Sequence, residues 1–176
     1  MRNSIITLMI LAISSSAFGA EVTANLDRCI VLNAQDDISA ESKVAMHFAM
    51  PDEVMAKEII YAELYIPVTI QNERSDQLYE FILFPLLSDW SENSIDFENS
   101  EGITDSLSAG AYTVTLATLN EFYLDITSFI IESAAGERAN YGLIAVADLL
   151  GDDNLQLPEN LSQAIKNAAR VKIIYK

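Results

Sequence analysis

Two tyrosines that lie four residues apart in one segment are the residues best suited to hold a ligand. Tyr61 and Tyr65 lie on one parity of a run in which apolar and polar residues alternate, so both project to one face of a strand. Tyr79, in the next apolar segment, is placed to join them from the following strand. Aromatic rings stack on sugar rings while polar side chains fix the hydroxyls. The alternative is that these tyrosines line the core of a second sheet.

A short acidic loop offers a second kind of chemistry, the binding of a calcium ion. Asp148, Asp152, Asp153 and Asn154 bring carboxylates and an amide together around a glycine. Calcium takes oxygen ligands of these types, and an exported protein meets it at high concentration. The spacing is not that of an EF-hand, and a merely solvated loop is the alternative. Calcium is therefore the cofactor to test.

Side chains for catalysis are scarce. The single histidine, His47, lies in a predicted strand between Ala45 and Ala49 and has no recognisable serine or cysteine partner. The Gly-x-Ser-x-Gly, P-loop and dinucleotide-binding motifs do not occur. Carboxylates are so abundant that a pair of them carries no information. We predict that the protein is not an enzyme.

The charge balance excludes several partners. The chain has 26 acidic and 10 basic residues and a net charge of −16. Nucleic acids and anionic membrane surfaces are recognised mainly by Lys and Arg, so neither is an expected partner. Polyanionic glycans would be repelled as well, which leaves a neutral or cationic glycan or a surface protein.

The single cysteine excludes a disulfide within the chain. Cys29 lies in the apolar segment Leu26 to Val31, which favours a buried free thiol in a strand. Pairing with a cysteine of another chain is the alternative. Hydrophobic residues make up 51% of the chain, so it is not expected to be disordered despite its charge.

Residues 1–19 have the pattern of a secretory signal peptide. Arg2 precedes the apolar run Ile5 to Ile13, and serines and the small-residue site Ala17-Phe18-Gly19 follow. The run is shorter than the roughly 20 apolar residues of a transmembrane helix. We therefore expect a single domain at residues 20–176 that is not membrane-embedded and is secreted, to the periplasm or the extracellular space.

Strands must position the candidate residues. Alternation or short apolar runs bounded by turn residues predict a series of strands. These segments are Val22–Ala34, Val44–Phe48, Ile60–Ile70, Leu78–Leu83, Tyr112–Leu116, Phe122–Ile126, Gly142–Ala147 and Val171–Tyr175. In the longest run, Ile60, Val68 and Ile70 share the apolar parity.

Only two segments are helical in pattern. Thr127 can cap a helix that stops at Gly136, and residues 158–169 carry apolar residues at spacings of three and four. About eight strands with one or two short helices predict an all-β fold, a β-sandwich of jelly-roll type.

The order of these elements, with several local motifs, resembles the DNRLRE domain family. The most specific motif is the segment Trp90 to Asn99, similar to the family's Trp-x-Glu-x-x-Val-Thr-Trp-x-Asn, although Asp96 and Phe97 replace the Thr and Trp. The other matching segments are Asp27, residues 44–48, residues 59–66, residues 125–127 and residues 140–143. The resemblance implies a secreted or surface β-sandwich similar to carbohydrate-binding modules.

The residues of these motifs are also explained by structure alone. Trp90 offers a large apolar area to cover a sheet end, Glu92 can accept backbone N–H bonds in the following turn, and Asn99 can close that turn. Asp125, two residues before Thr127, can serve the start of the short helix. We therefore assign them structural roles.

We predict an exported, non-catalytic binding module that recognises a glycan or a cell-surface or matrix component. The alternative is a self-assembling structural subunit of an extracellular matrix, surface layer or filament. In that case Val22 to Ala34 would form an edge strand that pairs with another chain.

The calcium hypothesis has a direct test. If an ion holds the loop at Asp148 to Asn154, a chelator removes it and lowers the melting temperature, because an ion that binds only the folded state stabilises it. Differential scanning calorimetry with and without chelator measures this shift. An unchanged melting temperature contradicts a structural ion.

Overall fold

The computed structural model describes residues 19–34, 42–67, 78–115, 121–149 and 159–176. The strands of this part are β1 (Ala20–Asn33), β2 (Ser42–Phe48), β3 (Ile59–Ile66), β4 (Leu78–Pro85), β5 (Gly110–Thr115), β6 (Phe122–Asp125), β7 (Leu143–Leu149) and β8 (Arg170–Tyr175). The helices are α1 (Thr127–Ala134) and α2 (Glu159–Ala168), and two short 3₁₀ segments are Asp52–Val54 and Asn99–Ile103.

The strands pair in the order β5-β4-β7-β2-β1-β8-β3-β6, and all pairs are antiparallel. We call β8, β3, β6 and the first half of β1 the front sheet, and β5, β4, β7, β2 and the second half of β1 the back sheet. This order is that of a jelly roll, in which two Greek keys wind around one core. The all-β sandwich predicted from the sequence is confirmed.

Strand β1 belongs to both sheets. Residues Ala20 to Asn25 pair with β8, and residues Leu26 to Asn33 pair with β2. A bulge at Asp27, between Leu26 and Arg28, joins the halves. The prediction that Val22 to Ala34 is an edge strand is therefore wrong, because β5 and β6 are the terminal strands in the pairing order.

A second bulge, at the start of β3, changes which residues face the core. Ile60 is 44% exposed, whereas Ile59 is only 8% exposed and joins the core. The register changes between Ile59 and Tyr61, so two residues of β3 stand opposite one residue of β8. The expectation that Ile60 faces the core is wrong for this reason, and Val68 and Ile70 lie outside the described residues.

The core fills the space between the sheets. Its largest fully buried side chains come from strands of both sheets and from α1, as alternation along each strand requires. They include Phe48, Phe81, Met46, Leu64, Ile66, Leu83, Leu124 and Ile130. Cys29 is a buried free thiol in β1, as predicted, and burial raises its pKa to about 11.

The outer side of the back sheet carries a second, smaller apolar layer. Residues 86–104, which we call the cover segment, fold back over β1, β2 and β7. Trp90, Ile95 and Leu86 of the cover segment are buried against Leu32 and Ile144 of the sheet. At β1, β2 and β7 the back sheet is thus covered on both faces.

The outer side of the front sheet has no such cover among the described residues. Its outward side chains from β3 are Tyr61, Glu63 and Tyr65, which alternate with the fully buried Ala62 and Leu64. The front sheet therefore presents polar and aromatic side chains directly to solvent.

Two glycines with positive φ allow a matched test of this packing. Gly142 has φ +94°, and a Cβ there would lie 2.2 Å from the carbonyl oxygen of Met46, whereas Gly136 has φ +74° and open space around it. Gly136→Ala should lower the free energy of unfolding by about 1 kcal/mol, the cost of a left-handed alanine. Gly142→Ala should lower it by about 3 kcal/mol or more, because strand β2 must also move.

Urea denaturation of both variants measures the difference. Equal losses at the two positions would contradict the close approach of Gly142 to β2.

Candidate functional site

The candidate site is built by the register of the front sheet. Asn25, Arg170, Tyr65 and Tyr123 are successive pairing partners on β1, β8, β3 and β6. We call these four residues the Tyr65 row. Directly paired residues on one face of antiparallel strands lie side by side, so four residues that are far apart in the sequence form one line across the sheet.

Close ring contacts hold the Tyr65 row together. The ring centroids of Tyr65 and Tyr123 are 5.0 Å apart, with the planes tilted by 43°. The guanidinium carbon of Arg170 lies 4.7 Å from the Tyr65 ring centroid, which is a cation–π arrangement. Tyr123 is 48% exposed. Tyr65 is therefore flanked by its neighbours, while Tyr123 keeps an open ring.

A second line of residues runs beside the first. Thr23, Lys172, Glu63 and Asp125 are successive partners on the same four strands, and we call them the Glu63 row. Nζ of Lys172 lies 3.2 Å from Oε2 of Glu21. The face thus carries hydrogen-bond donors and acceptors next to the two rings.

Two cavities open on this face. The face cavity, of about 320 Å³, lies over the two rows. It is lined by Glu21, Thr23, Glu63, Tyr65, Tyr123, Arg170 and Lys172. The helix-end cavity, of about 540 Å³, lies at the end of the Tyr65 row where α2 meets β8. It is lined by Asn25, Leu26, Tyr65, Pro67, Lys166, Asn167, Ala168, Ala169 and Arg170.

The tyrosine hydroxyls of this face are tied to carboxylates. Tyr61 donates to Oε2 of Glu63 at 3.0 Å, and Tyr65 donates to Oε2 of Glu121 at 3.3 Å. Burial, and then the bond to Glu63, raises the pKa of Tyr61 to about 12. Loss of hydration, and then the neighbouring Glu121, raises the pKa of Tyr123. The hydroxyls of Tyr61 and Tyr123 therefore lose their protons at higher pH than a free tyrosine does.

The structure separates the three tyrosines predicted as a platform. Tyr65 lines both cavities, whereas Tyr61 lines neither. Tyr79 is in β4 of the back sheet, paired with Val114 and Leu149, so it cannot join Tyr65 from a neighbouring strand. The side chain of Tyr79 is outside the described part of the structure. Tyr123 occupies the position beside Tyr65 that was predicted for Tyr79.

The sequence reasoning missed Tyr123 and Arg170. Tyr123 alternates with the buried Phe122 and Leu124 in β6, so its outward direction could have been read from the sequence. Its position beside Tyr65 could not, because cross-strand register depends on which strands pair.

The residues proposed for calcium are mostly not described. Asp152, Asp153 and Asn154 lie outside the described residues, and of Asp148 only the backbone position in β7 is given. In the ranges that the structure does describe, no group of three or more His, Cys, Asp or Glu side chains could hold a metal ion. The calcium site stays a prediction.

Trp90 belongs to the cover segment and packs on the outer side of the back sheet, not on the front sheet. It is 3% exposed, and its indole Nε1 donates to the carbonyl oxygen of Tyr141 at 2.7 Å. Arg28 packs over its ring, with the guanidinium carbon 4.9 Å from the centroid, and donates to Asp89 and to the Trp90 carbonyl. Trp90 thus fastens the cover segment to β1 and to the start of β7.

The turn after Trp90 is held by residues other than Glu92. Asn99 Oδ1 accepts the N–H of Asp96 at 2.9 Å, and Asp96 Oδ1 accepts the N–H of Asn99 at 2.7 Å. Asn99 Nδ2 also donates to the carbonyl of Ser94 at 3.1 Å. Glu92 is exposed, and Ser91 and Ser94 bond one another where it was expected to act.

Asp125 and Thr127 connect α1 to the front sheet. Asp125 Oδ1 accepts the backbone N–H of Thr127 at 2.9 Å, in the first turn of α1. The Thr127 hydroxyl does not cap the helix, because it accepts the backbone N–H of Ala62 at 2.9 Å and donates to the Ala62 carbonyl at 3.3 Å. This hydroxyl therefore ties α1 to β3.

His47 is held in a network at the β1 bulge. Its Nδ1 lies 2.6 Å from Oδ1 of Asp27, and its Nε2 lies 3.2 Å from the carbonyl oxygen of Asn140. Asn140 in turn donates to the Phe48 carbonyl at 2.8 Å and accepts the N–H of Gly142 at 3.2 Å. The ring nitrogens are thus engaged in joining β1, β2 and the loop before β7.

Comparison with protein families and with curated proteins finds no relative of this chain. It matches no protein-family model, and no curated protein is significantly similar to it. The resemblance to the DNRLRE domain is therefore still a prediction. Of the helices in the described ranges, none is long and apolar enough to span a membrane.

The raised pKa of Tyr61 gives a pH test of this face. An unfolded tyrosine has a pKa near 10 and the folded Tyr61 has one of about 12, so the stabilisation is present below pH 10 and is lost between about pH 10 and pH 12. Tyr61→Phe should make the loss of stability over this window less steep, and Glu63→Gln should act in the same direction.

Urea midpoints measured across this window compare the three proteins. Identical slopes for the variants and the parent chain would contradict the Tyr61–Glu63 contact.

Proposed function

We propose that this protein is an exported, non-catalytic module that binds a glycan chain on the outer face of the front sheet. The observation that carries the proposal is the Tyr65 row, in which two adjoining rings, a guanidinium and an amide line up across an open face. The proposal agrees with the signal-peptide pattern and with the resemblance to a family similar to carbohydrate-binding modules.

The exposed ring of Tyr123 supplies the apolar contact. Sugar rings have apolar C–H faces, and such faces pack on aromatic rings whose hydroxyls are wet. Tyr65 supports Tyr123 at 5.0 Å and is itself fixed by Arg170. Because these side chains already contact one another in the free protein, little side-chain entropy is lost when a ligand binds.

Polar groups beside the rings supply the selectivity for hydroxyls. Glu63 and Glu21 can accept hydroxyl hydrogens, while Lys172 and Arg170 can donate to hydroxyl oxygens, and all four line the face cavity. A cavity of about 320 Å³ lies within the range of roughly 300–1,000 Å³ typical of small-ligand sites.

The charge of the chain selects among glycans. With a net charge of −16, the protein repels a polyanionic chain, and a neutral or cationic glycan is favoured. A surface protein is the other partner class that the composition allows, but the aromatic row with small polar clusters is typical of a sugar site.

A self-assembling structural subunit is the alternative function. The edge strand named for it is not available, because β1 lies between β2 and β8 in the pairing order. The terminal strands β5 and β6 approach each other, and the Tyr112 hydroxyl donates to the Asp125 carbonyl across that gap. The described strands thus offer no long open edge.

Binding to immobilised neutral polysaccharides tests the proposal. A panel of β-glucan, xylan, mannan and chitosan, with alginate as the anionic comparison, is run by affinity electrophoresis. Tyr123→Ala should weaken binding by about 10-fold or more, because truncating a central aromatic residue typically costs that much. Leu107→Ala, which truncates an exposed apolar side chain away from the front sheet, is the control and should bind as the parent chain does.

Two results would contradict the proposal. One is the absence of binding to every neutral or cationic member of the panel, and the other is full binding by Tyr123→Ala. Circular dichroism of each variant establishes that it is folded.

A further inference from the structure

We propose that the ligand is an extended oligosaccharide that occupies both cavities at once and crosses the pair formed by Tyr65 and Arg170. This inference rests on the proposed function and adds to it the length of the ligand. A single sugar unit or a chain end, held in one cavity alone, is the kind of ligand that it excludes.

The two cavities share a wall. Tyr65 and Arg170 line both of them, so the two cavities adjoin at this pair. The Tyr65 row runs in the same direction, from Tyr123 on β6 to Asn25 on β1. At roughly 4.8 Å between neighbouring strands, the row is about 14 Å long. A chain lying along it would contact residues that line both cavities.

The helix-end cavity is equipped for hydroxyl groups. Asn25, Asn167 and Lys166 line it with side-chain donors and amide acceptors, and Leu26 and Pro67 give it apolar walls. The last turn of an α-helix leaves backbone carbonyls without partners inside the helix. In α2 the Ile165 carbonyl accepts the N–H of Ala169 at 3.2 Å, and the residues from Lys166 to Arg170 line the cavity.

No carboxylate of the described residues pairs with the cations of this cavity. Arg28, Lys43, Arg138 and Lys172 each form an ion pair with a carboxylate. Within the described ranges, Lys166 and Arg170 form none, and no carboxylate lines the helix-end cavity. As far as the described residues show, these donors at one end of the row have no carboxylate partner.

The two ends of the site differ in chemistry, so they should contribute differently to the binding of short and long ligands. The face cavity holds the open Tyr123 ring and two carboxylates, so it supplies an apolar contact to any bound sugar. The helix-end cavity has no aromatic ring of its own apart from the shared Tyr65, so it adds polar contacts to a chain already held. Short ligands should therefore depend on Tyr123 alone, and long ligands on both ends.

A length series tests this directly. Isothermal titration calorimetry is run with β-1,4-linked gluco-, xylo- and manno-oligosaccharides of two to six units. For the series that binds, the affinity should rise by about 10-fold or more from the shortest to the longest members and then level off, as a second set of contacts is gained.

Variants at the two ends make the test specific. Lys166→Ala, at an exposed helix position where alanine is well tolerated, should weaken binding of the long oligosaccharides about 5-fold and leave the short ones unchanged. Tyr123→Ala should weaken all lengths. Lys57→Ala, an exposed lysine in the turn after β2, is the matched control and should change neither.

The outcomes separate this inference from the proposed function. If affinity does not depend on length, or if Lys166→Ala weakens short and long chains equally or not at all, the two-cavity ligand is wrong while the face cavity stands. If no oligosaccharide binds and no polysaccharide of the panel is retained, the proposed function itself is wrong.

Discussion

The arrangement of this protein depends on the bulge at Asp27, which lets one strand serve two sheets. Before the bulge, Val22 and Ala24 of β1 face the core, and after it Cys29 does so, because one extra residue reverses the parity of a strand. The bulge is held by the contact of Asp27 with His47, 2.6 Å between Oδ1 and Nδ1. The single histidine therefore has its role in this junction.

Because the parity is reversed, β1 presents apolar side chains on the outer face of the back sheet and polar side chains on the outer face of the front sheet. In the second half of β1, Ile30 and Leu32 face outward and belong to an apolar layer that the cover segment buries. In the first half, Thr23 and Asn25 face outward and stay exposed. Covering the back sheet uses Trp90 and the buried Lys43, which lies 4.1 Å from the Phe97 ring and pairs with Glu101. The front sheet has no such cover among the described residues.

Much of the fold could be predicted from the sequence because each strand carries its own alternation. The register could not, since bulges are not visible in hydrophobicity: Ile60 has the apolar parity of β3 and is nevertheless exposed. The sequence also does not show which strands share a sheet. Tyr79 is therefore predicted to join Tyr65, although β4 is in the other sheet. The Tyr65 row exists only once β1, β8, β3 and β6 are aligned, so Arg170 gave no signal in the sequence.

The central claim is that the open face of the front sheet is the binding surface. The most direct measurement is a two-dimensional ¹H–¹⁵N NMR titration of the folded domain with a neutral oligosaccharide from the length series. The account predicts that the amide signals that shift belong to the Tyr65 row and its neighbours, around Tyr65, Tyr123 and Arg170. Shifts confined to the cover segment or to β4 and β5 would contradict it.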